Sequence, residues 1–472
     1  MTAAAAPWLG IEELARRYRA RELAPPDVTR ASLDRIAGLN ARLKSFLVVL
    51  GDLALREAEE SERRHRAGTA RGPLDGVPIS VKDIFHMAGL PTTAASATLV
   101  GAVAREDATV VARLRAAGAV LVGKTNLHEF AYGPTGAVSH FGAAVNPWNP
   151  AHVAGGSSSG SAASVAAGMA AGSIGSETGA SVRRPAAFCG VVGIKPTAGR
   201  ISRHGMLPCA WSLDAVGVFA RTVEGAALLM RAVAGHDPRD PWSSRRAVPD
   251  PVAAGADARG LRIGVPRAYL GDVEDEPRQA FERALETLGK LGAIVTDVDL
   301  PGVSFAALSS TLVSAAEVTA YHRRRLEERP GDISDDVRGR LYVGAGIDAR
   351  EYLLGQRARR LIGAEVRAAL GTFDLLAAPT APTPAPRIDA GVAGTRDRPL
   401  EVGAHHTNLV RLPSLLGLPT VSVPCGWSGP GLPLGLTLTG RPFEETTVIR
   451  AARAWEVAAP WAGRRPPLGD GA

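Results

Sequence analysis

Ser181 and its small neighbours form one stretch whose residue types suit nucleophilic chemistry. In GSETGASVRRPAAFCG (175–190), Ser181 follows Thr178, Gly179 and Ala180. Small residues let the backbone approach another group closely, and glycine adopts dihedral angles that other residues avoid. A serine at this place either caps the next helix or is a nucleophile held beside bare backbone N–H groups.

A nucleophilic serine needs a base, because a hydroxyl is a weak nucleophile at neutral pH. The usual base is histidine, but no G-x-S-x-G elbow surrounds Ser181. Lys82 ends the apolar run VPISVK, which predicts a buried strand. A lysine acts as a base only when its pKa falls from about 10.4 by about three units, at a cost on the order of 4 kcal/mol. The alternative is a structural lysine whose stem packs at the strand end.

A third stretch, AGGSSSGSAASVAAG (154–168), resembles a phosphate-binding loop in composition only. A phosphate loop needs a lysine and a hydroxyl residue directly after its glycines, and here Ala162 and Ala163 follow Ser161. A dinucleotide fingerprint follows an apolar strand, whereas NPWNPAHV precedes this loop. The pattern therefore favours a structural loop role for Ser158 and Ser159.

Several long motifs occur in order along nearly the whole chain: LDGVPISVKDIFHMAGLPTTAAS, GKTNLHEFAYGPTG, NPWNP, GGSSSGSAASVAAG, AAFCGVVGIKPTAGR and GLPLGLTLTG. With these motifs the sequence resembles the amidase signature family, the Ser-cisSer-Lys amidases. The resemblance implies an α/β class fold, an α/β/α sandwich around a large mixed β-sheet.

The resemblance assigns roles to the three stretches, residue by residue. Lys82 resembles the family's catalytic lysine, Ser157 its bridging serine and Ser181 its nucleophile. It also implies a cis peptide bond between Gly156 and Ser157. The backbone N–H groups of a short loop would then bind the substrate carbonyl as an oxyanion hole, a type of donor worth roughly 3 kcal/mol each in the transition state. That loop consists of Thr178, Gly179, Ala180 and Ser181.

Two positions depart from the family pattern. The family usually has glycine directly before the nucleophile, where this chain has Ala180, and Asp or a similar residue where this chain has Glu177. Alanine resists the positive-φ conformations that glycine adopts, so the first departure bears on the geometry of the loop.

The resemblance implies an amidase that hydrolyses a carboxylic amide to an acid and ammonia or an amine, with no metal and no organic cofactor. The segment VGAGIDAREYLLGQRARR (343–360) favours a stand-alone amidase. The first alternative is the glutaminase A subunit of a tRNA-dependent amidotransferase. The second is a catalytically silent binding protein of the same fold, an alternative that the departure at Ala180 supports.

The net charge and the cysteine content limit the kinds of partner that the protein is expected to have. The net charge is +7, but the arginines are scattered among acidic residues, which disfavours a nucleic-acid partner. Three widely separated cysteines disfavour a disulfide framework or a zinc site and indicate a reducing cytoplasm. No signal peptide and no membrane span is evident. The expected partners are a small-molecule amide substrate and, as one option, a second copy in a homodimer.

Apolar periodicity predicts the elements that must position these residues. Two helices, about Ile11 to Tyr18 and Asp27 to Leu39, precede the first strand, and strands and helices then alternate as in a parallel or mixed sheet. We expect residues 1–60 to be N-terminal helices packed on the core and residues 61–472 to be one amidase signature domain. A variable segment of about 236–404 is expected to shape the substrate pocket.

Overall fold

Eleven strands form one mixed sheet in the computed structural model, which describes residues 3–390, 405–461 and 463–468. Their order across the sheet is β1-β3-β2-β4-β6-β5-β10-β11-β9-β7-β8. The strands are β1 (Phe46–Val49), β2 (Pro78–Lys82), β3 (Val120–Thr125), β4 (Gly172–Glu177), β5 (Val192–Lys195), β6 (Ala215–Ala220), β7 (Arg262–Val265), β8 (Ile294–Asp297), β9 (Leu375–Pro379), β10 (Thr420–Trp427) and β11 (Pro433–Gly440).

Helices cover both faces of this sheet. Helices α5 and α7 pack on β4 and β6. Strands β10 and β11 are covered by α6 on one face and by α8 and α13 on the other. The helices are α1 (Ile11–Arg19), α2 (Pro25–Leu43), α3 (Gly51–Ala67), α4 (Thr109–Ala116), α5 (Ser159–Ala166), α6 (Arg183–Cys189), α7 (Val223–Val233), α8 (Asp275–Lys290), α9 (Ala306–Glu328), α10 (Asp335–Ala345), α11 (Ala349–Thr372), α12 (His405–Leu415) and α13 (Glu445–Ala458).

The direction of neighbouring strands decides which strand ends meet. β2 lies between β3 and β4 and is parallel to both. β4 and β6 are antiparallel, as are β10 and β11. The carboxyl ends of β2 and β4 therefore meet at one edge of the sheet, and the loops that follow them lie side by side.

The predicted α/β class and the mixed sheet are confirmed. The apolar run that ends at Lys82 is β2, as predicted, and the strands and helices that follow it alternate, with β10 and β11 forming a hairpin near the C-terminus. Strand β4 was not predictable from its residues, GSIGSE, because they lack the β-branched and aromatic side chains typical of strands. β4 nevertheless is buried along its whole length and leads directly to the Thr178–Ser181 loop.

The N-terminal helices share the main core with the sheet. Ile11, Leu14 and Tyr18 of α1 are fully buried in the same apolar cluster as the strands β2 and β11. The boundary near residue 60 stays a prediction. Residues 391–404, part of the predicted variable segment 236–404, lie outside the described residues.

One stretch, Pro301–Glu328, which contains α9, is long and apolar enough to cross a membrane by composition. Of its most apolar window, 56% is buried inside the protein. α9 packs against α10, α11 and α12, which accounts for its apolar composition.

Candidate active site

The parallel pair β2 and β4 brings Lys82 and Ser176 together at their carboxyl ends. Lys82 is fully buried. Burial lowers the pKa of Lys82 to about 7, because the charged ammonium loses its hydration, and the nearby Cys209, Asp214 and Glu177 oppose this shift only in part. Its surroundings therefore favour the neutral amine far more than water does.

Three serine hydroxyls surround the Lys82 amine. The distance from Nζ is 2.8 Å to the Oγ of Ser157 and 2.9 Å to the Oγ of both Ser158 and Ser176. The Ser158 hydroxyl also donates to the Ser176 carbonyl at 3.1 Å. The amine therefore faces groups that can exchange protons with it.

Ser157 is held by a close approach of two backbone segments. The peptide bond between Gly156 and Ser157 is cis. A Cβ at Gly156 would lie 2.6 Å from the Gly133 carbonyl oxygen, so only glycine fits there. The Ser157 carbonyl accepts a hydrogen bond from the backbone N–H of His128 at 3.0 Å. The loop therefore presents the Ser157 hydroxyl to Lys82 from a fixed backbone.

The loop from Thr178 to Ser181 connects β4 to α6 and exposes a row of backbone donors. None of its four backbone N–H groups donates a hydrogen bond to any residue that the structure describes. Ala180 has a φ of 88°, in the region that favours glycine. The expectation that alanine avoids this conformation is therefore wrong here. Full burial of Ala180 and the 2.9 Å hydrogen bond from the Arg184 N–H to its carbonyl hold it in place.

Asp214 fixes the start of this loop. The Thr178 hydroxyl donates to Asp214 Oδ1 at 2.5 Å, and the carboxylate also accepts the N–H groups of Cys209 and Ala210 at 2.9 and 3.1 Å. Burial raises the pKa of Asp214 to about 6, while these hydrogen bonds work in the opposite direction. Asp214 therefore holds the loop while lying close enough to Lys82 to favour its charged form.

Glu177 fixes the end of the same loop. One carboxylate oxygen accepts the N–H groups of Val182 and Arg183 at 3.0 and 3.1 Å, and the other contacts the Arg183 guanidinium and the Ser414 hydroxyl at 2.7 Å each. Burial alone would raise the pKa of Glu177, but Arg183 and Lys195 lower it to about 2. The glutamate that departs from the family pattern is thus an ionised clamp for α6.

Solvent reaches only one side of the site. Ser181 and Thr178 each keep 8% of their surface exposed, whereas Lys82, Ser157 and Ser158 are fully buried. A small molecule can therefore approach the loop but not the lysine. The backbone N–H of Ser158 donates to the Ser181 carbonyl at 3.3 Å and links the two sides.

The structure brings all the predicted site residues to one edge of the sheet. Ser157 contacts Lys82 directly, and the loop of Thr178, Gly179, Ala180 and Ser181 is joined to them through Ser158. Their chemical roles stay predictions. Across residues 3–390, 405–461 and 463–468, no group of three or more His, Cys, Asp or Glu side chains is placed to hold a metal ion.

Three residues that contact the site were not predicted. Ser158 is not only a structural loop residue, because it contacts Lys82, and neither Ser176 nor Asp214 stands out in the sequence. Ser176 lies at the end of a strand that its residues do not reveal, and Asp214 is 36 residues from Thr178 along the chain. A short apolar run, AVGVFA, directly after Asp214 was the only available signal that a strand begins there.

The chain is similar to known proteins over nearly its whole length. A family model described as Amidase matches residues 27–449. The A subunit of glutamyl-tRNA(Gln) amidotransferase from Synechococcus sp. (strain JA-2-3B'a(2-13)) is 40% identical over 486 residues, covering 98% of this chain and 94% of the relative.

Solved structures agree with the sequence comparison. A protein from a vestigial complex linked to the evolutionary origins of an s-triazine catabolic enzyme matches with a TM-score of 0.89 and 34% identity, covering 96% of this chain and 99% of the other. The peptide amidase from Stenotrophomonas maltophilia matches with a TM-score of 0.82 and 34% identity, covering 98% of each chain.

Proposed function

The chain belongs to the amidase family, and on this premise we propose that it hydrolyses a carboxylic amide to an acid and ammonia or an amine. Ser181 attacks the carbonyl carbon, and Ser157 passes the Ser181 proton to neutral Lys82. The nitrogen of the substrate leaves with a proton, and water then releases the acyl group from Ser181. The observation that carries the proposal is the 2.8 Å contact of a fully buried lysine with Ser157.

The hydrogen bonds around Lys82 support a neutral amine with a usable lone pair. A neutral amine has two N–H donors and one acceptor site. The Ser158 hydroxyl already donates to the Ser176 carbonyl, so Ser158 accepts from Lys82. If Ser176 accepts the second N–H, the lone pair of Lys82 faces the hydroxyl of Ser157. Ser157 can then give its proton to Lys82 while it takes one from Ser181.

The free backbone donors support a role for the loop as an oxyanion hole. Thr178, Gly179, Ala180 and Ser181 offer N–H groups that no described residue uses. Donors aimed at the developing negative charge on the carbonyl oxygen stabilise the transition state, by roughly 3 kcal/mol each. Asp214 and Glu177 anchor the two ends of the loop, which keeps the donors in place before substrate arrives.

An acyl-enzyme is the direct test of this proposal. We expect rapid mixing with a reactive anilide or ester, followed by acid quench, to add the acyl mass to the peptide that contains Ser181. The control is Ser159→Ala, because Ser159 is a buried serine two residues after Ser157 and forms no hydrogen bond with Lys82. Steady-state amide turnover without any adduct at Ser181 would contradict the proposed mechanism.

The 40% identity to the A subunit of an amidotransferase supports a second candidate function, release of ammonia from glutamine for a partner protein. The two functions differ in substrate and in dependence on a partner. Turnover of glutamine only in the presence of a copurifying protein would favour the second candidate. Turnover of simple amides by the isolated chain would favour the stand-alone amidase, which the sequence also predicts.

The proposal also covers the location, the cofactor requirement and the oligomeric state of the enzyme. The enzyme acts in the cytoplasm, it needs no metal or organic cofactor, and it works alone or as a homodimer. Mass photometry of the purified chain and activity after chelation with EDTA test the last two. Loss of activity on chelation, with recovery on adding a metal, would contradict the proposed cofactor-free mechanism.

A further inference from the structure

Two arginines beside the Thr178–Ser181 loop differ from other arginines nearby in having no acidic partner among the residues that the structure describes. Arg184 belongs to α6 and Arg411 to α12, and both side chains are half-buried. Among the residues in 3–390, 405–461 and 463–468, neither guanidinium forms an ion pair with a carboxylate. By contrast, Arg183 pairs with Glu177 at 2.7 Å and Arg340 with Asp336 at 3.1 Å.

Arg411 lies directly over the backbone of the loop. A Cβ built on Gly179 would be 3.4 Å from the Nη1 atom of Arg411. The only hydrogen bond of this guanidinium to a described residue is a long one, 3.4 Å to the hydroxyl of Ser310. No other described residue accepts a hydrogen bond from the five N–H donors of Arg411, which lies beside the loop where the substrate carbonyl is proposed to bind.

Arg184 and Arg411 also repel each other. The pKa of Arg184 falls to about 10, first because of burial and next because of the charge on Arg411. Glu177, whose charge favours the charged form of Arg184, is already occupied by Arg183, Ser414 and two backbone N–H groups. Two neighbouring cations without an anion are costly, and a bound anion removes this cost.

We propose that Arg411 and Arg184 bind a carboxylate of the substrate, so that the enzyme prefers short amides that carry a carboxylate a few bonds from the scissile carbonyl. This inference rests on the proposed amidase function and specifies its substrate class. The planar fork of a guanidinium matches a carboxylate with two parallel hydrogen bonds. The contact of Arg411 with Gly179 limits the distance between the two ends of the substrate.

Paired substrates test the inference. Succinamate and butanamide have the same chain length and differ in a carboxylate in place of a methyl group. We expect kcat/KM of the parent enzyme to be roughly ten- to hundred-fold higher for succinamate, the range of a charge-assisted hydrogen bond. Arg411→Met should remove most of this preference, and Arg411→Lys should remove part of it. Arg323→Met, at an exposed arginine of α9, is the matched control and should leave the preference intact.

The outcomes separate this inference from the amidase function itself. Equal turnover of the two amides, or a preference that persists in Arg411→Met, Arg411→Lys and Arg184→Met, would overturn the carboxylate site and leave the amidase function standing. A binding experiment works without turnover. Succinamate, and not butanamide, should raise the melting temperature of the Ser181→Ala variant, and no such difference would overturn the inference even if no amide is hydrolysed.

Discussion

Lys82 and Lys195 are both fully buried at the carboxyl end of a strand, yet their surroundings differ. Burial lowers the pKa of Lys82 to about 7 and that of Lys195 to about 8. The amine of Lys82 faces three serine hydroxyls, whereas that of Lys195 donates to the carbonyls of Pro196 and Leu418. Carbonyl oxygens only accept, so Lys195 has no proton to take.

The difference shows that burial and a lowered pKa do not identify a base by themselves. Glu177 favours the charged form of Lys195, which in turn helps to keep Glu177 ionised. Lys195 is therefore a structural cation, and its charge supports the clamp at the start of α6. For Lys82 the neighbouring groups are hydroxyls that can supply a proton, and this is the feature that a base requires.

The largest effect on activity is expected at Ser181, whose proton is proposed to reach Lys82 through Ser157. Ser181→Ala should lower kcat on the order of 10⁴-fold or more, because it removes the atom that forms the acyl bond. Ser157→Ala should leave a small residual activity, because water can carry the proton in its place, but poorly. The measurement is steady-state amide turnover beside circular dichroism. Near-native turnover by Ser181→Ala would remove Ser181 from the mechanism.

The same substitution at the two lysines should give opposite results. Lys82→Met should be inactive and no less stable than the parent at pH 7, because it no longer buries an amine that prefers water. Lys195→Met should stay active in its folded form but lose about 1–3 kcal/mol of stability, since two carbonyls lose their donor. Urea unfolding and turnover on the same preparations test both.

The pH dependence of stability gives a further test of the lowered pKa of Lys82. The pKa of Lys82 is lower in the folded protein than in the unfolded chain, so the unfolded chain binds more protons between about pH 7 and about pH 10. Parent stability should therefore gain from Lys82 deprotonation as pH rises through this range, and the advantage of Lys82→Met should shrink. A constant difference between the two proteins from pH 7 to pH 10 would contradict a lowered pKa.

A smaller effect is expected at Asp214. Asp214→Asn should lower kcat by about tenfold, because one hydrogen bond that fixes Thr178 is weakened. Its lost negative charge should also lower the pKa of Lys82, so the acidic limb of the pH–activity curve should move to lower pH. A merely structural role would reduce the rate with no movement of that limb.

The smallest effect is expected from the substitution of Ala180 by glycine. Ala180→Gly should change stability by no more than about 1 kcal/mol, because relief of the positive φ is offset by the greater freedom of glycine in the unfolded chain. Activity should stay within about threefold of the parent, since the donors of the loop are unchanged. Ala180→Val should be severely destabilised, because a β-branched residue resists φ of 88°. Equal tolerance of glycine and valine in thermal melts would show that the loop is not held in this conformation.

Local signals made much of the site predictable. Lys82 follows an apolar run typical of a buried strand, and Ser157 and Ser181 lie in motifs shared with a known family. What stayed hidden depends on distant parts of the chain. Asp214 reaches Thr178 only because β6 pairs with β4, and Arg411 reaches Gly179 only because α12 packs near the loop. Contacts between residues so far apart along the chain cannot be predicted from the spacing of residues in the sequence.

The difference between Lys82 and Lys195 also was not predictable. Both end apolar runs, VPISVK and VVGIK, and nothing in either run states which atoms will face the amine. The three hydroxyls around Lys82 come from one loop and a strand that meet only in the folded sheet. The carbonyls around Lys195 come from its own neighbour and from residue Leu418, 223 residues away.

The pH dependence of fluorophosphonate labelling at Ser181 tests the central claim, that neutral Lys82 activates this serine. In the parent enzyme the labelling rate should rise about tenfold per pH unit below about pH 7 and level off above it, as Lys82 loses its proton. Lys195→Met should keep that curve, while Lys82→Arg should label on the order of 10²-fold more slowly with no such rise, since arginine keeps its proton. Labelling of Lys82→Arg at the parent rate, with the parent pH dependence, would contradict the account.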